Sequence, residues 1–214
     1  MYTTVIFDLD GTLLNTLDDL ADSVNFALAT YGLPTHTREK VCAFVGNGMQ
    51  NLMQLAAGKQ DKADQDELLA AFKAHYKKHC KDKTKPYDGI ISLLRALKAR
   101  GVKTAVLSNK ADFATKELAK EYFDGLLDEA VGENEAAGIR KKPCPDALFA
   151  VLERLGAKKE ETLYVGDSDV DIFTAKNAGV RCISVTWGFR DRAFLIENGA
   201  QTLIDFPEKI LEIV

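Results

Sequence analysis

Near its start the chain carries Asp8-Leu9-Asp10-Gly11-Thr12, two carboxylates two residues apart, directly behind the apolar run Thr3-Thr4-Val5-Ile6-Phe7. A short β-branched run of this kind reads as a buried strand. Two more polar clusters stand in the same relation to apolar runs: Ser108-Asn109-Lys110 after Ala105-Val106-Leu107, and Gly166-Asp167-Ser168 after Leu163-Tyr164-Val165. A fourth element, Lys142-Pro143, lies in a loop between a strand and a helix. Open parallel sheets bind ligands beyond the carboxyl ends of their strands. Such a sheet would bring these four distant segments to one edge.

The chemistry available at that edge follows from the residue types. Asp8 and Asp167 at adjacent strand ends would repel each other, and one would take up a proton unless a cation intervened. Oxygen-only ligands with retained waters favour magnesium, Mg2+. Lys142 and the metal would make the pocket cationic, which suits a phosphate dianion, and Ser108 with nearby backbone amides can donate to its oxygens. A carboxylate held against a metal-bound phosphate is a competent nucleophile, which gives Asp8 a role. Asp10, beside a glycine turn, can protonate a leaving alcohol and then deprotonate an attacking water. Taken singly, each element has a plainer meaning. The first run can be a turn with solvated acids, Ser108 a helix cap, and Lys142 a surface lysine with Arg140 and Lys141 as rivals. Their occurrence together and in order is what favours the chemical reading.

The elements needed to position these residues are legible in the periodicity. Residues 17–31 show helical apolar spacing that Gly32 and Pro34 stop. Helices follow at 37–45, with Thr37 as cap, and at 49–57 and 64–81, with no strand between them. Beyond Pro86 the pattern alternates. Helices at 90–100, 113–122, 146–155, 170–178 and 194–198 precede strands at 103–107, 126–131, 162–165, 180–185 and 203–204. Alternation with short connections predicts an α/β fold, a parallel sheet with helices on both faces. The helical block is then an all-helical insertion over residues 15–87, and the rest of the fold is formed by 1–14 and 88–214.

Composition sets the boundaries of function. The 214 residues are 46% hydrophobic and 28% charged, ordinary for a globular protein. A net charge of −4 gives no global basic field of the kind that draws a chain onto nucleic acid. No apolar run approaches bilayer length and no export signal is visible, so neither membrane nor secretion is expected. Cys42, Cys80, Cys144 and Cys182 are scattered, as reduced cytoplasmic thiols are. His75 and His79, four apart and beside Cys80, have a spacing that can bind zinc, but no further ligand is evident and exposed helix histidines are the expectation. The lysines at 77, 78, 81, 83 and 85 read as a solvated face.

The four segments resemble the four motifs of the haloacid dehalogenase-like hydrolase superfamily, HAD. Asp8-Leu9-Asp10-Gly11-Thr12 matches the first, Ser108 the second, Lys142 the third, and Gly166-Asp167-Ser168-Asp169-Val170-Asp171 the fourth. The resemblance implies a Rossmann-like core with a helical cap after the first motif. It implies a magnesium-dependent phosphomonoester hydrolase acting through an aspartyl-phosphate on small phosphorylated metabolites. Asp8 would be nucleophile and Asp10 general acid/base, with Lys142 steadying nucleophile and phosphate. Ser108, Asn109, Gly11 and Thr12 would surround the phosphate. Asp8, Asp167 and the backbone carbonyl of Asp10 would hold the metal, with Asp171 acting through a metal-bound water. Either a monomer or a homodimer is compatible with it.

Asp10 argues against a dehalogenase, which needs no acid there. Leu20 stands where the sugar-phosphate mutases of the group carry histidine. The stretches Phe44-Val45-Gly46-Asn47-Gly48, Ser108-Asn109-Lys110, Gly166-Asp167-Ser168 and Val185-Thr186-Trp187-Gly188-Phe189-Arg190 are most similar to those of phosphoglycolate phosphatases. Asn15 and Ser108 depart from the aspartate and threonine common there. Related pyrophosphatases, nucleotidases and sugar-phosphate phosphatases share most of these features, and a sensor that binds phosphate ligands without turnover is the non-enzymatic alternative. Arg190 reads as a surface salt-bridge partner, or as a contact to a substrate carboxylate. Gly46-Asn47-Gly48 reads as a turn opening a helix, or as amides facing a phosphate.

Overall fold

The computed structural model of the chain describes residues 1–134 and 138–214. β1 (Thr4–Phe7) is buried along its whole length. After β2 (Leu14–Asn15) come α1 (Leu17–Thr30), α2 (Arg38–Phe44), α3 (Gly48–Ala57) and α4 (Lys62–His79). The chain returns through β3 (Lys85–Pro86), which pairs with β2. Helices and strands then alternate: α5 (Ile90–Ala99), β4 (Lys103–Ala111), α6 (Asp112–Phe123), β5 (Glu129–Glu133), α7 (Asp146–Leu155), β6 (Thr162–Gly166), α8 (Asp169–Ala178), β7 (Arg181–Val185), α9 (Arg192–Glu197) and β8 (Leu203–Ile204). The chain divides into two compact units, Met1–Leu14 with Pro86–Val214, and Asn15–Lys85.

The first unit holds a six-stranded sheet in the order β5-β4-β1-β6-β7-β8, every pair parallel. This is the α/β architecture that the alternating pattern predicts. On one face Ile6, Ala105, Leu107 and Tyr164 pack in a single apolar cluster with Ala147, Leu148, Val151 and Leu152 of α7 and Ala175 of α8. The alternate residues Val5, Phe7, Val106, Leu163 and Val165 point the other way and are equally buried, so both faces are covered. Register matters most for the site. Phe7 lies opposite Val106 of β4 and Val165 of β6, so the next residues, Asp8, Leu107 and Gly166, stand level at the carboxyl edge.

The second unit is built from α1 to α4, with α1 packed against each of the others. Thr37 caps α2 by accepting from Lys40 N at 3.3 Å, and Asp61 caps α4 by accepting from Asp64 N at 2.9 Å. Asp19 is buried within α1, and its carboxylate accepts from Lys83 N at 2.9 Å and Thr84 N at 2.9 Å. His75 and His79 are half-buried, not exposed as expected. The His75 ring stacks on Phe26 at 4.1 Å and on His79 at 4.3 Å, because i,i+4 neighbours share one side of α4. Ser23 Oγ lies 2.9 Å from His75 Nδ1, and His79 Nδ1 lies 2.7 Å from Asp82 Oδ2. Gly46 and Gly48 both have positive φ, at 131° and 85°, and α3 starts at the second.

Other differences from the sequence expectation have local causes. β4 continues to Ala111, so Ser108-Asn109-Lys110 form the end of the strand and not a loop after it. Apolar patterning loses the strand where polar residues begin, yet these three are buried, with Asn109 paired to the Lys142 backbone and Lys110 to Asp10. β5 starts three residues later than expected because Leu126 N closes a turn onto Phe123 O. α4 and α9 begin two residues earlier than expected, at the points set by the Asp61 and Asp191 caps. The second crossing ends at Lys85, two residues before the expected boundary at 87.

Candidate active site

Asp8 leaves β1 at the carboxyl edge, with its N–H bonded to Val165 O of β6 at 2.8 Å. Its side chain is buried, and Oδ1 lies 2.9 Å from Lys142 Nζ, close enough for charge attraction but without hydrogen-bond alignment. Burial is the chief cause that raises the Asp8 carboxyl from 3.8 to about 7. Lys142 opposes the rise, while the charges of Asp171 and Asp10 add to it.

Lys142 is the buried member of three consecutive basic residues. Arg140 is instead exposed and bonded to Asp146, with Nε 2.7 Å from Oδ2. The Lys142 ammonium donates to Asp171 Oδ1 at 2.8 Å and to Tyr164 OH at 3.1 Å. Burial works against its charge, but Asp171 and Asp8 outweigh that and hold its pKa well above 10.5. The Lys142 loop is clamped by Asn109, whose Oδ1 accepts from Lys142 N at 2.8 Å and whose Nδ2 donates to Lys142 O at 3.0 Å. The Asn109 carboxamide thus has a structural duty beyond the phosphate contact that the family resemblance implies for it.

Asp167 follows β6. Thr12 Oγ1 donates to its Oδ1 at 3.2 Å, and Phe189 N donates to its Oδ2 at 2.7 Å. Burial, then the charges of Asp171 and Asp8, push Asp167 well above the ordinary carboxylate range. The backbone around it approaches so closely that only glycine fits. A Cβ on Gly11, where φ is 82°, would meet Asp167 Oδ2 at 2.2 Å, and one on Gly188 would meet Gly11 O at 2.4 Å. Thr12 therefore serves Asp167 directly, and Trp187 Nε1 donates to Thr12 O at 3.0 Å. Asp171, in the first turn of α8, is fully buried. Its Oδ2 accepts from Ser168 N at 3.1 Å and Ser168 Oγ at 2.6 Å, and its Oδ1 from Tyr164 OH at 3.2 Å as well as from Lys142.

Asp10 has a partner that motif reading left without a role. Lys110 Nζ lies 2.8 Å from both carboxylate oxygens of Asp10. The signal was a lysine two residues beyond Ser108 at the end of an apolar strand, where an unpaired charge would be costly to bury. Ser108 Oγ accepts from Lys110 N at 3.2 Å. Tyr164 and Ser168, which hold Asp171, were also passed over, since each reads locally as an ordinary strand or cap residue. The Arg190 guanidinium lies over the Phe194 ring at 5.5 Å, a cation–π contact.

One oxygen from each of Asp8, Asp167 and Asp171 lies within 4.8 Å of the others. The donor set is all oxygen, and burial with mutual repulsion raises Asp8 and Asp167. These features fit a hard divalent cation, which would relieve that repulsion. Asp171 already meets Lys142, Tyr164 and two donors from Ser168, so Asp8 and Asp167 retain the greater capacity for direct ligation.

A parallel sheet with an acidic, lysine-bearing edge at its strand ends defines the Rossmann-like class of α/β proteins. The comparisons make this specific. The family model for haloacid dehalogenase-like hydrolases matches residues 5–185, and the chain belongs to that family. A phosphoglycolate phosphatase from Aquifex aeolicus is 35% identical over 190 residues, covering 86% of this chain and 85% of that protein. One from Pseudomonas syringae pv. tomato is 35% identical over 214 residues, covering 97% and 78%. Among solved structures, a predicted phosphoglycolate phosphatase from Haemophilus somnus superposes with a TM-score of 0.90 at 28% identity, covering 99% of this chain and 97% of that one.

Proposed function

We propose that this protein, a phosphatase of the haloacid dehalogenase-like hydrolases, is a magnesium-dependent phosphomonoesterase whose substrate is 2-phosphoglycolate. The observation that carries the chemistry is the convergence of Asp8, Asp167 and Asp171 within 4.8 Å, with Lys142 Nζ 2.9 Å from Asp8. The substrate assignment draws on the phosphoglycolate phosphatases that are about as similar over nearly the whole chain.

In this reading an Asp8 oxygen attacks phosphorus and the bond to the leaving oxygen breaks, with Asp10 supplying that oxygen's proton. Water then attacks the phosphorus of phospho-Asp8, Asp10 takes up its proton, and the Asp8 carboxylate is restored. Lys142 holds Asp8 against Asp171 and offsets phosphoryl charge. Asp8, Asp167 and the Asp10 carbonyl would hold Mg2+, which neutralises charge on the transferring group when bound. Ser108 and the amides around Gly11 are assigned to the phosphate oxygens. Catalysis is assigned to the unit containing the sheet, and substrate selection to the helical unit of residues 15–85. The four cysteines are free thiols, which supports a reducing, cytoplasmic setting.

The test is release of inorganic phosphate from a panel of phosphorylated acids, nucleotides, sugars and pyrophosphate, with and without Mg2+. The highest kcat/KM is expected for 2-phosphoglycolate. Preference for a nucleotide or for pyrophosphate would replace the substrate, and turnover by Asp8→Asn would replace the mechanism.

A further inference from the structure

We propose that Lys110 is a positioning residue for Asp10, fixing the carboxylate that carries the proton to and from the reacting oxygens. The inference rests on the role given to Asp10 above and adds the device that aims it.

The geometry is that of a built clamp. The Lys110 ammonium is equidistant from the two Asp10 oxygens, 2.8 Å from each, which fixes the plane of the carboxylate as well as its position. The Lys110 side chain is 2% exposed and that of Asp10 13%, so solvent screens the pair little. Burying an ammonium this deeply is costly unless it is paired, and the chain spends four methylenes reaching Asp10 from another strand. The backbone of Lys110 is itself fixed at both ends. Its N–H donates to Ser108 Oγ at 3.2 Å, and its carbonyl accepts from Thr115 Oγ1 at 3.2 Å. Gly132 of β5 packs so close that a Cβ there would stand 2.6 Å from Lys110 O. The two segments are 100 residues apart in sequence, so the clamp is made by the fold and not by local chain geometry.

A residue that aims a proton carrier leaves a particular kinetic trace. An alkoxide needs a proton to leave, whereas p-nitrophenolate does not. For a reaction through a phosphoenzyme, kcat/KM reports the steps up to release of that first product. The experiment measures kcat/KM for an alkyl phosphate and for p-nitrophenyl phosphate with the wild type, Lys110→Met and Asp10→Asn. Lys110→Met is expected to lose about 10- to 100-fold on the alkyl phosphate and less than about threefold on p-nitrophenyl phosphate. Equal losses on the two substrates, or no loss on either, overturn the proposal, because a structural or phosphate-binding lysine would not discriminate between leaving groups. Asp10→Asn separates the two levels of the argument. If it fails to discriminate, the role of Asp10 falls and this inference falls with it. If it discriminates and Lys110→Met does not, the inference alone falls. Should Lys110→Met not fold, Lys110→Arg keeps the charge but displaces it. The same selectivity at smaller size is then expected, and equal loss on both substrates overturns the proposal.

Discussion

Lys142 Nζ stands 2.9 Å from Asp8 Oδ1, a buried contact at the sheet edge between residues 134 positions apart, and the same ammonium donates to Asp171. One cation thus holds two carboxylates that would otherwise repel each other and Asp167.

Removing that cation should unbalance the site. Lys142→Met leaves Asp8 and Asp171 without their shared partner, and breaking a buried ion pair from one side costs about 3–5 kcal/mol. Urea denaturation is expected to show a loss of that order, with phosphate release reduced at least about 100-fold. A variant of wild-type stability would mean that the carboxylates do not depend on Lys142.

Removing the opposing charge should act the other way on stability. Burial makes the Asp8 environment unfavourable to its ionised form, the Lys142 contact notwithstanding. Asp8→Asn is therefore expected to abolish turnover while the melting temperature of the metal-free chain at pH 8 stays level or rises. A marked fall in Tm at that pH would contradict the electrostatic account.

Acidity and metal should compete. The folded Asp8 titrates at about 7 against 3.8, so between those values the native state keeps a proton that the unfolded chain has released. Stability of the metal-free chain then falls as pH rises through that window, and Asp167 acts in the same direction. Lys142 has a raised value, so its contribution is present throughout the window and is lost only at higher pH. Mg2+ competes with the carboxyl protons, so its stabilising shift in Tm should be larger at pH 8 than at pH 5. Equal shifts at the two pH values, followed by calorimetry against an EDTA control, would count against metal binding at these carboxylates.

Close backbone approach around Asp167 should tolerate no side chain. Gly188→Ala brings a Cβ to 2.3 Å from Asp167 Cβ and 2.4 Å from Gly11 O. Overpacking of this kind costs about 1–3 kcal/mol. Because the shift falls on Asp167, activity should drop more than stability, as parallel assays of phosphate release and urea unfolding can check.

Within the helical unit, Asp19 ties α1 to the segment that leads out of it. Asp19→Ala strands the Lys83 and Thr84 amides, with an expected loss of about 1–3 kcal/mol. Hydrogen exchange at those two amides should accelerate. Unchanged protection there would mean that they find other acceptors.

Much of the fold was legible because its signals are local. The β-branched run 4–7, the period-3.6 helices and their alternation after Pro86 each lie within a window of a dozen residues, and together they predict the parallel sheet. Where the outline slipped, at the end of β4 and the start of β5, polar residues or a turn interrupted the apolar pattern while the backbone answered to distant partners.

The sequence by itself determined the element order, the family likeness and which segments carry acids and lysines. Only the tertiary structure decided that Lys110 grips Asp10, that Asn109 clamps the Lys142 loop, and that Tyr164 and Ser168 hold Asp171. The reason is physical. A side chain's local pattern reports its own strand or helix, whereas its partner is set by strand register and burial, which join Thr12 to Asp167 across 155 positions and to Trp187 across 175.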